Sequence, residues 1–152
     1  MAIHSDEYFM SLAIAEAMVA NKEGDMPFGA VVVCSGEVIG KAHAQDNRTQ
    51  DITAHAELQA VQQACKKLGT KKLVNCVIYC TNEPCIMCGA AIFQANIPKV
   101  IIGISREDIP NILRARKLHI SDLAEDSGYP IEIVRGISKD EILKLFKDIK
   151  KK

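Results

Sequence analysis

The alternation of apolar and polar positions divides the chain into helices and strands along its whole length. Apolar residues recur at helical spacing over residues 5–21, and Gly24 marks the end of that helix. Residues 30–34 are a compact β-branched run, which the turn signal Ser35-Gly36 connects to a second strand over 37–41. Because strands keep alternating with helices, the pattern predicts an α/β sandwich built on a mixed sheet.

The rest of the chain continues this alternation. In order, we expect a polar loop over 44–53, a helix from Thr53 to about Leu68, a strand over 74–80, a turn over 82–84, a helix over 85–96, a strand over 99–104, two short helices within 105–126, a strand over 131–134 and a final helix that Ser138 opens. The positions expected to face inward are Leu58, Val61, Cys65 and Leu68 on the first of these helices, and Ile142, Leu145, Phe146 and Ile149 on the last. We see no repeat and no linker, which predicts one domain over residues 1–152.

The charge balance constrains the partners that the protein can bind. Nineteen Lys and Arg residues balance nineteen Asp and Glu residues, and 48% of the residues are hydrophobic. Proteins that wrap long nucleic acids are usually basic, because contacts with phosphate groups dominate that kind of binding. We therefore expect no long nucleic acid as a partner, although a small basic patch is compatible with a neutral total.

The first residues and the apolar runs indicate a compartment. Asp6, Glu7 and Glu16 interrupt any signal-peptide pattern, and no apolar run is long enough to cross a membrane. We therefore expect a cytoplasmic protein with no membrane partner. In that compartment the six cysteines are expected to be thiols or metal ligands rather than disulfides.

Two cysteines behind a proline form the most informative motif, Pro84-Cys85-Ile86-Met87-Cys88. Proline suits the start of a helix, and residues three apart share one helix face, so both sulfur atoms can bind one metal ion. The N-terminus of a helix also stabilises thiolates. Taken alone, this motif fits a metal site and a redox dithiol about equally well.

A second motif, His55-Ala56-Glu57, stands at the start of the preceding predicted helix and favours the metal site. Together with Cys85 and Cys88, His55 makes a set of three ligands, which leaves the fourth position of zinc open for water, as in catalytic sites. Zinc lowers the pKa of that water, and Glu57 beside it can carry the proton to a substrate. The remaining cysteines stand singly and are interpreted as core residues: Cys34, Cys65, Cys76 and Cys80.

The paired motifs resemble the signature of the cytidine and deoxycytidylate deaminase superfamily, His-x-Glu followed by Pro-Cys-x-x-Cys. Segments 26–33, 53–57 and 82–85 extend the resemblance to the branch that contains guanine deaminases, tRNA adenosine deaminases and fungal-type cytosine deaminases. The resemblance covers residues 5–104 and, more loosely, the rest of the chain. It is specific for the superfamily and poorly specific for the substrate.

The resemblance implies a three-layer α/β/α cytidine-deaminase-like fold, in which helices flank a mixed five-stranded sheet. It implies one Zn²⁺ per chain, which His55, Cys85 and Cys88 would hold, and it makes Glu57 the catalytic proton shuttle. Phe28 would line the pocket for the base, with a plain core role as the alternative for this residue. The backbone around Ala56 and Glu83 would border the same pocket.

Two departures from the family pattern concern the loop that contacts the substrate. Related enzymes carry an asparagine about eleven residues before the zinc histidine, and here that position is Ala44. Asn47 is the nearest amide and is expected to bind the substrate instead, with His43 and Gln45 as alternatives. Asp51-Ile52 also stands where Asp-Pro is common. Both departures leave the chemistry intact and bear on the choice of substrate, as does the 105–130 region.

We expect a hydrolytic deaminase that releases ammonia from a free nucleobase or nucleoside, with a guanine-type purine slightly favoured by the segments 26–30 and 53–57. The alternatives are a cytosine or cytidine deaminase, a tRNA adenosine deaminase and a catalytically silent binding subunit. Against tRNA stand the neutral charge and Ser105-Arg106-Glu107-Asp108, which replaces the Lys-Thr-Gly-Ala-type segment of tRNA enzymes. The lysine-rich end over 144–152 favours tRNA, but acidic residues interrupt it. Glu57 argues against the silent subunit, because a structural zinc does not need that carboxylate.

A homodimer is the expected assembly. The main reason is the resemblance, since this branch usually completes its pocket with residues from a neighbouring subunit. In addition, the predicted helix over 85–96 is apolar nearly all round, and such a helix is buried by its own domain or by a partner.

Overall fold

Helices and strands alternate in the computed structural model, which describes residues 3–147 and residue 149. In chain order the elements are α1 (Asp6–Lys22), β1 (Gly29–Cys34), β2 (Glu37–His43), α2 (Asp46–Thr49), α3 (Ala56–Leu68), β3 (Cys76–Asn82), α4 (Ile86–Gln94), β4 (Lys99–Ile104), α5 (Ile120–Ser127), β5 (Glu132–Arg135) and α6 (Lys139–Lys144). A short 3-10 turn covers Arg106–Asp108. Within the described residues, no helix combines the length and the apolar character that crossing a membrane requires.

The strands form one five-stranded mixed sheet in the order β2-β1-β3-β4-β5. Strand β1 pairs antiparallel with β2 and with β3, whereas β3 with β4 and β4 with β5 are parallel. One apolar layer packs residues of α3, α4 and α5 against one face of the sheet, and another packs α1 and α6 against the opposite face. The predicted three-layer α/β/α arrangement is confirmed.

Helix α3 lies unusually close to the sheet. A Cβ atom at Gly40 of β2 would stand 2.2 Å from the carbonyl oxygen of Ala60, so only glycine permits this contact. The buried face of α3 is made mostly of small residues, namely Ala56, Glu57, Ala60, Val61 and Ala64. The prediction that Leu68 faces inward is wrong, because its side chain is 43% exposed, and Leu58 and Cys65 are only half-buried. Because alanine side chains form the close contact between α3 and the sheet, the larger side chains Leu58, Cys65 and Leu68 lie at its edges.

The segment before α3 differs from the sequence prediction. Thr53 does not cap the helix, since its backbone N–H and hydroxyl both donate to Asp51 Oδ1, at 2.9 and 2.6 Å, and His55 occupies the N-cap position. The predicted loop over 44–53 also contains the one-turn helix α2. Residues 51–55 therefore form a turn that presents His55 at the start of α3.

Strand β4 has the predicted bounds, whereas β3 begins two residues later than expected because Val74 is exposed. β3 also ends two residues later than expected, so Asn82 is its last residue rather than part of a turn. The final helix α6 ends at Lys144, so of its four positions predicted to face inward only Ile142 is helical. Ile142 and Phe146 are buried, and Leu145 and Ile149 are half-buried. Residues 148 and 150–152 of the lysine-rich end lie outside the described residues. The singly placed cysteines belong to the core or pack against it, as predicted: Cys34, Cys65, Cys76 and Cys80.

Candidate active site

Two helix starts bring the three predicted metal ligands together. His55 is the N-cap residue of α3, and Cys85, three residues after the end of β3, is the N-cap residue of α4. His55 Nδ1 lies 3.4 Å from Cys88 Sγ and 3.7 Å from Cys85 Sγ. A tetrahedral zinc ion, with Zn–S near 2.3 Å and Zn–N near 2.0 Å, requires nitrogen–sulfur separations of about 3.5 Å. The three donor atoms therefore fit one zinc ion.

The pKa values of the two thiols shift in opposite directions. A hydrogen bond from the Cys88 thiol, helped by His55, lowers the pKa of Cys85 to about 3 against the opposing effect of burial. The same hydrogen bond and burial raise the pKa of Cys88. The Cys85 sulfur raises the pKa of His55. A thiolate beside an imidazole is a donor set that zinc prefers.

Glu57 lies in the first turn of α3 and is buried, with 4% of its surface exposed. Burial raises the pKa of its carboxyl group, while a hydrogen bond with Cys88 and the charge of His55 oppose the rise. A carboxyl group whose pKa is raised takes up and releases protons closer to neutral pH, which suits general acid–base catalysis.

A cavity of about 280 Å³ opens beside the ligand cluster. Its wall contains seven of the eight sequence-predicted site residues: Phe28, Asn47, His55, Ala56, Glu57, Glu83 and Cys85. The eighth, Cys88, is fully buried and is not part of the wall. The cavity therefore brings together the predicted ligand side chains, the predicted proton carrier and the predicted substrate contacts.

The position of the family's missing asparagine is part of this wall. Ala44 lines the cavity, and so does Asn47. Neither of the alternatives, His43 and Gln45, lines the cavity. The ring of His43 faces α1, with Nδ1 3.0 Å from Glu16 Oε1.

Six further residues that sequence reasoning did not assign to the site line the cavity: Met26, Asp46, Asn82, Arg106, Ile112 and Leu113. Asn82 is the most informative of these, because it is buried and its Oδ1 atom has no hydrogen-bond partner among the described residues. Its Nδ2 atom makes only a long contact of 3.4 Å, to the backbone oxygen of Glu83. An amide at the end of a buried strand, directly before the Glu-Pro-Cys motif, was the available sequence signal.

Buried ionic contacts hold Glu83, the residue before Pro84. Its Oε1 accepts from Arg135 Nη1 of β5 at 2.5 Å, and its Oε2 lies 2.9 Å from His119 Nδ1 at the start of α5. The contact with Glu83 raises the pKa of His119. Since removing one partner of a buried ion pair is costly, these contacts fix the turn that carries Cys85.

Comparison with known proteins points to one class of enzyme. The family model described as MafB19-like deaminase matches residues 4–145. A tRNA-specific adenosine deaminase of Aquifex aeolicus (strain VF5) is 47% identical over 97 residues, 64% of this chain and 64% of that protein. A tRNA-specific adenosine deaminase of Bacillus subtilis (strain 168) is 32% identical over 157 aligned residues, 97% of this chain and 92% of that protein.

Solved structures agree with the fold. A structure from a study of A-to-I editing by tRNA:A34 deaminases superposes with a TM-score of 0.79 at 29% identity, covering 91% of this chain and 98% of the other. The X-ray structure of a guanine deaminase from Bacillus subtilis superposes with a TM-score of 0.65 at 32% identity, covering 83% of this chain and 71% of the other.

Proposed function

Since this chain belongs to the MafB19-like deaminase family, within the cytidine deaminase superfamily, and is a deaminase, we propose that its substrate is an adenosine in tRNA, which it converts to inosine. The proposal rests on sequence similarity to the Bacillus subtilis tRNA-specific adenosine deaminase, whose alignment covers 97% of this chain. The sequence-based expectation of a free guanine-type base is not confirmed. The neutral total charge, which argued against tRNA, does not exclude a local basic patch at the cavity.

The proposed reaction adds water at C6 of the base and releases ammonia. When bound by His55, Cys85 and Cys88, zinc would lower the pKa of a water molecule so that it attacks at neutral pH. The new bond joins the water oxygen to C6, and the bond from C6 to the exocyclic nitrogen breaks. Glu57 takes a proton from the water and delivers it to the ring, and then a second to the departing amino group.

The cavity wall supplies the contacts that hold the base. The ring of Phe28, packed against Phe146 at 5.8 Å between centroids, offers an aromatic surface for a base displaced from the RNA stack. The unpartnered amide of Asn82 can accept from, or donate to, the edge of that base, because neither of its polar atoms has a short protein contact. We assign Asn82, together with Asn47, to the role of the asparagine that Ala44 replaces.

A substrate panel tests the proposal. We expect inosine formation in an adenosine-containing anticodon stem-loop to exceed turnover of free adenosine, guanine, cytosine and cytidine by orders of magnitude. Inosine is measured by chromatography of digested RNA, and ammonia release is measured for the free compounds. The Glu57→Gln variant serves as the control for contaminating activity. Guanine turnover above that of the stem-loop would contradict the proposal.

A guanine deaminase is the second candidate. It is favoured by the Bacillus subtilis guanine deaminase structure, whose 32% identity extends over 83% of this chain. The same panel decides between the two, because guanine is one of its compounds. A free base needs only the cavity, whereas an RNA substrate also needs a surface for its backbone.

A further inference from the structure

A second cleft adjoins the active-site cavity. It has a volume of about 180 Å³, and its walls are the segment from Glu83 to Met87 together with Arg106, Arg116 and Leu118. Glu83, Cys85 and Arg106 line both spaces, so the cleft and the cavity share a wall. A group bound in the cleft would therefore be next to whatever occupies the cavity.

Arg106 is held in a fixed position between the two spaces. Its Nε and Nη2 atoms donate to the backbone oxygen of Arg114 at 3.2 and 2.8 Å. An arginine has five N–H donors in a planar fork, so most of its donors stay free. A guanidinium group that the fold already orients loses little further conformational entropy when it binds an anion.

The basic side chains around the cleft form no ion pair with a carboxylate among the described residues, although the charges of Glu83 and Glu107 act on Arg106. Four basic side chains stand close together in sequence here: Arg106, Arg114, Arg116 and Lys117. Within the part of the chain that the structure describes, none of them has a carboxylate oxygen within 4.0 Å, whereas nine other ion pairs are formed. Burial lowers the pKa of Arg106 most, and the positive charge of Arg116 lowers it further. The two guanidinium groups therefore lie close enough to repel each other.

The acidic groups nearest to the cleft already have partners. Glu83 is bound by Arg135 and His119, Glu107 lies 3.4 Å from His119 Nε2, and Asp108 pairs with Lys139 at 3.0 Å. These pairs reduce the repulsion that the carboxylates would exert on an anion. The cleft thus combines an oriented guanidinium group at Arg106, arginine side chains without an ion-pair partner among the described residues and an adjoining base-sized cavity.

We infer that this cleft is a phosphate subsite, in which Arg106 and Arg116 bind a backbone phosphate next to the adenosine that enters the cavity. The inference rests on the proposed RNA substrate. A nucleotide in RNA carries a phosphate on either side of its sugar, one nucleotide unit from the base. A free base carries none and would leave the subsite unused. Arginine is the side chain whose planar fork matches phosphate oxygens best.

RNA binding by the double variant Arg106→Gln/Arg116→Gln tests the subsite. Affinity for a fluorescent anticodon stem-loop is measured by anisotropy over a range of salt concentrations, in the Glu57→Gln background so that the RNA is not consumed. For single strands, log K falls against log salt with a slope of about 0.7 per contacted phosphate. We expect the double variant to bind about tenfold more weakly at low salt and its slope to fall by about 0.7 or more.

Two control variants separate charge from structure. Arg116→Lys keeps the charge and should keep most of the salt slope. Lys71→Gln/Lys72→Gln removes two exposed charges beyond the far end of α3, about 20 Å of helix away from His55, and should leave the slope unchanged. Unaltered affinity and slope in the arginine variant would overturn the inference, as would equal losses in the Lys71/Lys72 variant.

A test with mononucleotides distinguishes failure of the phosphate subsite from failure of the proposed function. If the wild-type protein neither binds nor deaminates any RNA, the proposed function fails, and the cleft is tested with nucleosides and their 5′-monophosphates. Preference for the monophosphate in the wild type, lost in the arginine variant, would support a phosphate subsite that serves a free nucleotide. The same ratio in both proteins would overturn the subsite.

Discussion

At the scale of single residues, Glu57 is the group on which turnover should depend most. Its carboxyl group is buried beside the ligand cluster, and burial raises its pKa. The change Glu57→Gln keeps the shape and removes the exchangeable proton, so we expect a fall in kcat of about 10²–10⁴-fold. Metal content and the melting temperature should stay close to wild type. Turnover within a fewfold of wild type would remove Glu57 from the mechanism.

The second residue-scale prediction concerns the metal. The His55 Nδ1–Sγ distances of 3.4 and 3.7 Å match a shared zinc ion, so we expect about one zinc per chain in the purified protein. Cys85→Ser and Cys88→Ser should each lose most of it, as measured by atomic emission of the dialysed proteins. Cys65→Ser, on the outer part of α3, is the matched control and should keep its zinc. Retention of zinc in both ligand variants would contradict the site.

Replacing Asn82 should lower activity without lowering stability. Its Oδ1 atom is buried without a partner among the described residues, and such a group destabilises a fold. Asn82→Leu removes the unpaired atom at similar volume, so the melting temperature should stay equal or rise. The base would lose a hydrogen bond, and kcat/KM on the stem-loop should fall about 10-fold or more. Asn47→Ala, compared in parallel, shows which amide contributes more. A drop in stability with unchanged kcat/KM would contradict the assignment.

The site residues that the sequence identified share a local signal. His55, Glu57, Cys85 and Cys88 stand at short spacings at helix starts, where spacing alone decides which side chains share a face. Asn82 and Arg106 lie outside these motifs. Asn82 stands directly before Glu83-Pro84-Cys85, but only the pairing of β3 with β4 in the sheet shows that it and Arg106 line the same cavity. Contacts of that kind depend on strand order, which periodicity does not encode.

At the scale of elements, His119 connects the start of α5 to Glu83. Its folded-state pKa is raised above the ordinary value near 6.5, so the folded protein binds more protons than the unfolded chain between those two values. The stability from this contact is therefore full below pH 6.5 and is lost as the pH rises through the raised pKa. Urea unfolding should show His119→Gln destabilised at pH 5.5 and nearly equal to wild type at high pH.

A control is available for that pH dependence. His4→Gln removes an exposed histidine before α1, on the opposite side of the sheet from α5, and its stability is compared with that of His119→Gln at each pH. A His119→Gln effect that grows with pH would contradict the assigned contact.

The bounds of helices and strands were predicted most accurately where the local sequence pattern was strongest. Strand β4 is a continuous apolar run buried on both faces, and its bounds were predicted correctly. The one-turn helix α2 is too short for periodicity to reveal, and its first two backbone N–H groups after Asp46 donate to Asp25 Oδ1, which lies far away in sequence. The buried face of α3 was predicted incorrectly because alanine contributes little to a hydrophobic pattern. In the structure, the small alanine side chains let α3 approach β2 at Gly40.

At the scale of the whole molecule, the assembly stays a prediction. Helix α4 keeps Ile86 38% exposed and Ala90 exposed, which leaves apolar surface beside the active site. We expect light scattering at micromolar concentration to give the mass of a dimer. Ile86→Glu, which places a charge on that surface, should shift the mass towards the monomer, with Leu68→Glu on α3 as the control. A monomeric mass for the wild type would contradict the prediction.

The order of strands in the sheet has a consequence for synthesis on the ribosome. The hairpin of β1 and β2 emerges early, but the second edge of β1 is completed only by β3, after all of α3 has been made. Until then the nascent chain carries the β-branched strand β1, Gly29–Cys34, with an open edge, the kind of surface through which chains aggregate. Cys85 and Cys88 follow β3 in the chain, so the three zinc ligands are complete only after the strand that closes this edge has been made. Slow translation through residues 56–75 would therefore prolong the aggregation-prone stage, and a ribosome-bound chaperone that shields this hairpin should raise the soluble yield.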